Sequence, residues 1–179
     1  DASKHLVRFY YDTQEDMFDV VSYSKGGRIL NMLRNYVGDD AFFKSLNKYL
    51  TDNKFGTGSA HKLRLAFEAT TGKDLNWFFN QWYFNNGHPN LVISNNYDAT
   101  TQKLMVVIKQ TQNTGLFQLP VTIDIYHGAN KKRQMVWAKN TADTFYFTAS
   151  TKPDLVNVDA DKILLAEKKE TKNIKYKII

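Results

Sequence analysis

The sequence predicts an α+β protein in two successive parts, helices first and a small β-sandwich second. Three observations carry that prediction. Up to about Pro89 the apolar residues recur at helical spacing, and beyond it they alternate with polar ones. Glycines and prolines fall between the periodic stretches rather than inside most of them. Sequential helices followed by sequential strands point to two domains and not to one interleaved sheet.

The first periodic stretch is MFDVVSYSKGGRILNMLRNYVGDD, with Val21, Ile29, Leu30, Leu33 and Val37 on one stripe and Gly38 as a C-terminal stop. Asp39 or Asp40 is then expected to cap AFFKSLNKYL, with Phe42, Phe43, Leu46, Tyr49 and Leu50 as its buried face. After the loop KFGTG, a third helix is expected in SAHKLRLAFEATTG, with Leu63, Ala66, Phe67 and Thr70 on one side and Gly72 at its end. Asp74 is expected to cap a fourth, the aromatic-rich LNWFFNQWYF, closed by NNGHP.

The second part reads as about seven short strands: NLVISNNYD, KLMVVIKQ, LPVTIDIYHG, QMVWAK, TFYFTA, DLVNVDA and KILLAE. Val121, Ile123 and Ile125 alternate with Thr122, Asp124 and Tyr126, and Leu104, Val106 and Ile108 with Lys103, Met105, Val107 and Lys109. This is the pattern of a small β-sandwich. The expected division is residues 1–89 helical, 90–168 strands and 169–179 a basic tail.

The chain has 179 residues and a net charge of +6. Residues 1–89 contribute +1 and residues 90–179 contribute +5, of which the terminal KKETKNIKYKII supplies +4. The rest is close to neutral and has no basic stripe interleaved with aromatics, so no nucleic-acid partner is expected. No apolar run approaches a membrane span, and no membrane partner is expected. Cysteine is absent, which excludes a disulfide framework and a thiolate metal site. The composition is compatible with any compartment, a bacterial exported or periplasmic one included. The start DASKHLVRF, with no initiator methionine, reads as a processed product or an excised piece.

The search for chemistry returns little. His5, His61, His88 and His127 have no carboxylate or second histidine at ligand spacing. No nucleophile elbow, P-loop or dinucleotide fingerprint occurs. Asp159 and Asp161 in VDADK are read as a strand-to-strand turn in preference to a calcium loop. Tyr23 has two readings. It is either a core aromatic, with Gly26 and Gly27 letting a neighbouring helix approach, or a phenol projecting from a helix end into a site. A phenol stays a neutral hydrogen-bond donor at working pH and can stabilise an oxyanion.

FDVVSYSKGGRILNMLRNYVGDDAFFKSLNKYL resembles the segment of the aminopeptidase N family of zinc metallopeptidases (the gluzincin aminopeptidases) that carries their catalytic tyrosine. The resemblance centres on Tyr23-Ser24-Lys25-Gly26 and continues through Leu33-Arg34, Gly38 and Phe42-Phe43. It runs on through KLRLAFEATTGKDLNWFFNQWYFNNGHPNL, where Trp82, Gly87, Pro89 and Leu91 occupy the family's closing signature. Gln112, Phe117, Leu119-Pro120-Val121 and Val158-Asp159 are similar to the sandwich that follows the catalytic domain. The similarity covers roughly residues 15–168.

That resemblance implies a helical C-terminal portion of a thermolysin-like catalytic domain followed by a seven-stranded immunoglobulin-like β-sandwich. It implies a parent enzyme that removes N-terminal residues from peptides with one zinc, held by two histidines of H-E-x-x-H and a later glutamate. Tyr23 takes the place of the catalytic tyrosine that holds the tetrahedral oxyanion with the metal. Lys25 and Gly26 match the motif as structural residues. The zinc ligands, general base and amino-anchoring strand belong upstream in the family, so no zinc is expected in this chain and it is expected to be inactive alone. Its implied partners are the parent's peptide substrates and the missing N-terminal catalytic portion of the same polypeptide. Apolar surface left uncovered would favour self-association. The competing reading is a non-catalytic peptide- or protein-binding module, which the upstream sequence would separate by the presence or absence of H-E-x-x-H. A third, a carbohydrate-binding sandwich, would need Tyr126, Trp137 and Tyr146 in one planar row.

Overall fold

The computed structural model describes residues 4–170. The chain divides into two compact units, Asp1–Gly87 and His88–Ile179. Among the described residues the first unit holds four α-helices and the second holds seven strands in two sheets, an α+β architecture.

In the first unit, α1 spans Gly26–Val37, α2 Asp39–Asp52, α3 Ala60–Thr71 and α4 Asn76–Trp82. Ile29, Leu33, Phe67, Leu75, Phe79 and Trp82 are buried and form its centre. Gly38 ends α1 as expected: its φ is 87°, a conformation that costs glycine little, and its N–H donates to the Arg34 carbonyl at 2.8 Å. The α2 cap differs from expectation. Gly38 itself is the residue before α2, and neither aspartate caps it through its side chain. Asp39 instead lies in the first turn and takes a two-pronged bond from the Arg34 guanidinium at 2.9 and 2.7 Å.

The inner face of α2 also differs. Phe42 and Ser45 are buried, whereas Phe43 and Leu50 are exposed. Phe43 is one residue, about 100° on a helical wheel, from Phe42 and so leaves the face that points inward. Its ring meets Phe42 edge-on and lies under the Arg34 guanidinium, 5.1 Å away. Ser45 tolerates burial because its hydroxyl donates to the Ala41 carbonyl at 2.6 Å. Both ends of α3 match their sequence signals. Ser59 Oγ accepts from the Lys62 N–H, and Gly72 closes the helix in the left-handed region. Before α4, the Asp74 carboxylate accepts the Asn76 N–H at 2.8 Å.

In the second unit, β1 is Asn90–Asp98, β2 Lys103–Gln110, β3 Leu119–His127, β4 Asn130–Ala138, β5 Ala142–Thr148, β6 Leu155–Val158 and β7 Glu167–Glu170. One sheet has the order β5-β2-β1-β7 and the other β4-β3-β6. All pairings are antiparallel except β1 with β7. Leu91, Ile93, Leu104, Val106 and Ile108 of the first sheet are buried, and so are Val121, Ile123, Ile125, Val156 and Val158 of the second. Period-two alternation thus grouped Leu104, Val106, Ile108, Val121, Ile123 and Ile125 correctly, whereas Asp124, grouped with the opposite face, is buried as well.

The last strand is displaced from its expected place in KILLAE. Asp159 is almost fully buried, and its Oδ1 accepts the N–H groups of Ile163 and Leu164 at 2.8 and 3.3 Å. Those bonds hold the segment in a turn, so pairing resumes only at Glu167. β7 therefore takes in Lys169 and Glu170, the first two residues of the expected tail. The remainder of that tail lies outside the described residues.

Candidate active-site segment

Tyr23 sits on a single π-helical turn, Val21–Lys25, that leads directly into α1. The Gly26 N–H donates back to the Val21 carbonyl, the i to i−5 bond that widens the turn. Such single-turn insertions occur frequently at functional sites. Tyr23 is 64% exposed, and its ring neighbour is Phe18, with ring centroids 6.2 Å apart. The hydroxyl makes no hydrogen bond among the described residues. Tyr23 is thus not part of the buried core of the helical unit among the described residues. Tyr83 shows the contrast: it is buried against Phe79, and burial pushes its phenol well above the ordinary range.

The turn is fixed at its front by charge. Asp19 Oδ1 accepts the Ser22 N–H at 2.9 Å, and the Asp19 carbonyl accepts the Tyr23 N–H at 3.1 Å. The Arg8 guanidinium grips the same carboxylate with two bonds, 2.9 and 3.1 Å, and donates a further one to Ser22 Oγ at 2.9 Å. Lys4 Nζ adds a contact at 3.3 Å. The Ser22 N–H and then Arg8 hold the Asp19 carboxyl well below the usual carboxylate range. Sequence reading missed this network. Its members lie eleven and fourteen residues apart across an irregular segment, and no periodicity links them.

A methyl group at Gly26 would meet Leu6 Cδ1 at 3.5 Å, an ordinary contact, and at Gly27 it would meet nothing within 4 Å. No closely approaching helix occupies that space among the described residues. Lys25 is half-buried, its Nζ lies 3.5 Å from the Lys4 carbonyl, and burial lowers its pKa.

The histidines are engaged singly. His5 Nδ1 is 2.8 Å from the Phe84 carbonyl, His61 stacks on the Phe84 ring, His88 faces Glu167 at 3.4 Å, and His127 faces Thr151 at 3.2 Å. Among the described residues no group of three or more His, Cys, Asp or Glu could hold a metal. Asp159 and Asp161 form no ion cradle. Asp159 is saturated by two N–H groups and by Lys168 Nζ at 2.9 Å, and Asp161 pairs with Arg133 at 2.6 Å. Tyr126 and Trp137 belong to β3 and β4, but Tyr146 belongs to β5 in the other sheet, so the three form no row on one sheet.

Residues 4–82 match the peptidase family M1 domain. Tricorn protease-interacting factor F2 of Thermoplasma acidophilum is 32% identical over 114 residues, 63% of this chain and 14% of that protein. Aminopeptidase N of Haemophilus influenzae is 27% identical over 128 residues, 68% of this chain and 14% of that protein. In fold, the crystal structure of Legionella pneumophila aminopeptidase A in complex with aspartic acid matches 98% of this chain and 20% of its own, with a TM-score of 0.81 at 16% identity. The α+β architecture is thus that of the matched part of this aminopeptidase structure, and the matches together fit a fragment of a family M1 aminopeptidase. It spans about a seventh of the length of these two sequence relatives.

Proposed function

We propose that this chain is the part of a zinc-dependent aminopeptidase that supplies the oxyanion-stabilising tyrosine, Tyr23. In this reading residues 1–89 close a thermolysin-like catalytic domain and residues 90–168 form an immunoglobulin-like sandwich, with 169–179 as a tail. The observation that carries it is the exposed Tyr23 phenol on a π-turn, within the stretch that matches the M1 domain.

In this reading the metal and the general base are supplied by a preceding portion of the same polypeptide. The part assigned to this chain is narrower. As a peptide carbonyl becomes tetrahedral, negative charge grows on its oxygen, and a pre-aimed phenol donates to it without reorganising. Phe9, Tyr10, Tyr11, Phe18 and Val20 are all exposed around the same segment and give the preceding portion apolar surface to cover.

Tyr23→Phe in the enzyme that contains this chain tests the role. Loss of one such donor costs about 10²–10³ in kcat, with KM little changed. Near-normal turnover would overturn the assignment. The isolated chain is expected to bind no zinc, to cleave no aminoacyl arylamide and to self-associate in sedimentation. Stoichiometric zinc with turnover would sink the reading of it as one part of a site.

A further inference from the structure

The Asp19 carboxylate does more than terminate a helix. A cap needs one acceptor for one N–H, and Asp19 supplies that to Ser22. Here the same carboxylate is also held fork-to-fork by Arg8, an arrangement that fixes orientation as well as distance. Both partners are sheltered, with side chains 13% exposed for Arg8 and 23% for Asp19.

Arg8 is itself anchored from far away in sequence. The Val7 N–H donates to the Tyr83 carbonyl at 3.0 Å, and His5 Nδ1 meets the Phe84 carbonyl at 2.8 Å. Those bonds strap residues 5–8 onto the end of α4. Arg8 Nη1 also donates to the Asp16 carbonyl at 3.1 Å. The π-turn is therefore referenced to the helical unit through a chain of contacts: the end of α4, the strap, Arg8, Asp19, and then the N–H groups of Ser22 and Tyr23.

We propose that Asp19, clamped by Arg8, is a positioning residue that sets the π-turn and thereby the aim of the Tyr23 phenol. The proposal rests on the oxyanion role of Tyr23. Asp19 touches no reacting atom in this scheme and acts only through Tyr23. A donor aimed at a developing charge tolerates little displacement, since a misplacement of about 1 Å can cost about 10²-fold in rate.

The test has two arms. In the enzyme that contains this chain, Asp19→Asn and the milder Arg8→Lys are each expected to lower kcat about tenfold or more, with KM within about twofold. On a Tyr23→Phe background the same changes are expected to add almost nothing, because the group they position is gone. An equal loss on both backgrounds would overturn the proposal. The second arm needs no activity. In this chain, Asp19→Asn is expected to speed amide hydrogen exchange at Ser22 and Tyr23 by about tenfold or more while leaving α2 and α3 unchanged. Unchanged exchange at those two amides would also overturn it. If Tyr23→Phe were fully active while the exchange arm behaved as expected, the oxyanion reading would fail and the positioning of the turn would stand.

Discussion

The segment around Tyr23 and the strand unit bury their side chains in opposite ways. Along β3, Val121, Ile123 and Ile125 point inward and are buried, and the backbone pairs on both sides. From Phe9 to Tyr23 most large apolar side chains, Phe9, Tyr10, Tyr11, Phe18, Val20 and Tyr23, are exposed and only Val21 is buried, and order comes from polar contacts between residues distant in sequence. One region is held by the area it removes from water and the other by a few directed bonds. The first is robust to a change in any exposed residue. The second depends on one carboxylate.

Truncation in each region measures that difference and gives the largest effect. Ile123 is fully buried, and Ile123→Ala is expected to cost the strand unit about 2–5 kcal/mol, a lost side chain plus the cavity it leaves. Tyr10 is 96% exposed, and Tyr10→Ala is expected to change stability by no more than about 0.5 kcal/mol. Urea unfolding of the two variants checks the pair. A large loss at Tyr10 would mean that the outward aromatics are packed in solution, and the contrast would disappear.

The strand unit also contains one polar contact of the kind that orders the Tyr23 segment, and acid should expose it. Asp124 is buried and bonds the Arg133 guanidinium at 2.7 Å to each oxygen, from directly opposite in the β3–β4 register. Those bonds hold its carboxyl below the usual range. The folded state therefore binds the proton less readily than the unfolded chain, whose aspartates titrate near ~3.9. The stabilisation is fully present above that value and is lost as pH falls through the folded value. Asp124→Asn is expected to cost about 1–3 kcal/mol at neutral pH, the worth of a hydrogen-bonded charge. It is also expected to flatten the acid limb of a stability–pH curve. An acid limb of unchanged slope in the variant would assign it to other carboxylates.

What the sequence disclosed follows the same division. Val106, Ile108 and Ile123 were legible as residues of one face because alternation is local. Gly38, Ser59 and Gly72 were legible because helix ends have their own residue chemistry. Tyr23 was legible as a candidate from its motif, but not its exposure, because the i to i−5 bond at Gly26 breaks the wheel on which it was placed. Phe43 and Leu50 were read as inward because hydrophobicity alone does not say how wide the covered face is. Arg8 and Asp19 were invisible, since their meeting depends on a strap closed at Tyr83 and Phe84.

The smallest expected effect has the opposite sign and concerns the glycine pair after the π-turn. Gly27 lies in the first turn of α1 without positive φ, and a methyl group there meets nothing within 4 Å. Gly27→Ala should therefore stabilise the helical unit, by about 0.4–1 kcal/mol, because alanine loses less backbone freedom on folding. Gly26 is the control: it is buried, and its added methyl would touch Leu6 Cδ1, so the gain should be smaller. Thermal unfolding of the two variants gives the order. If Gly27→Ala destabilised the chain, the turn that carries Tyr23 would need flexibility at its exit. Its order would then not come from the Arg8–Asp19 clamp alone.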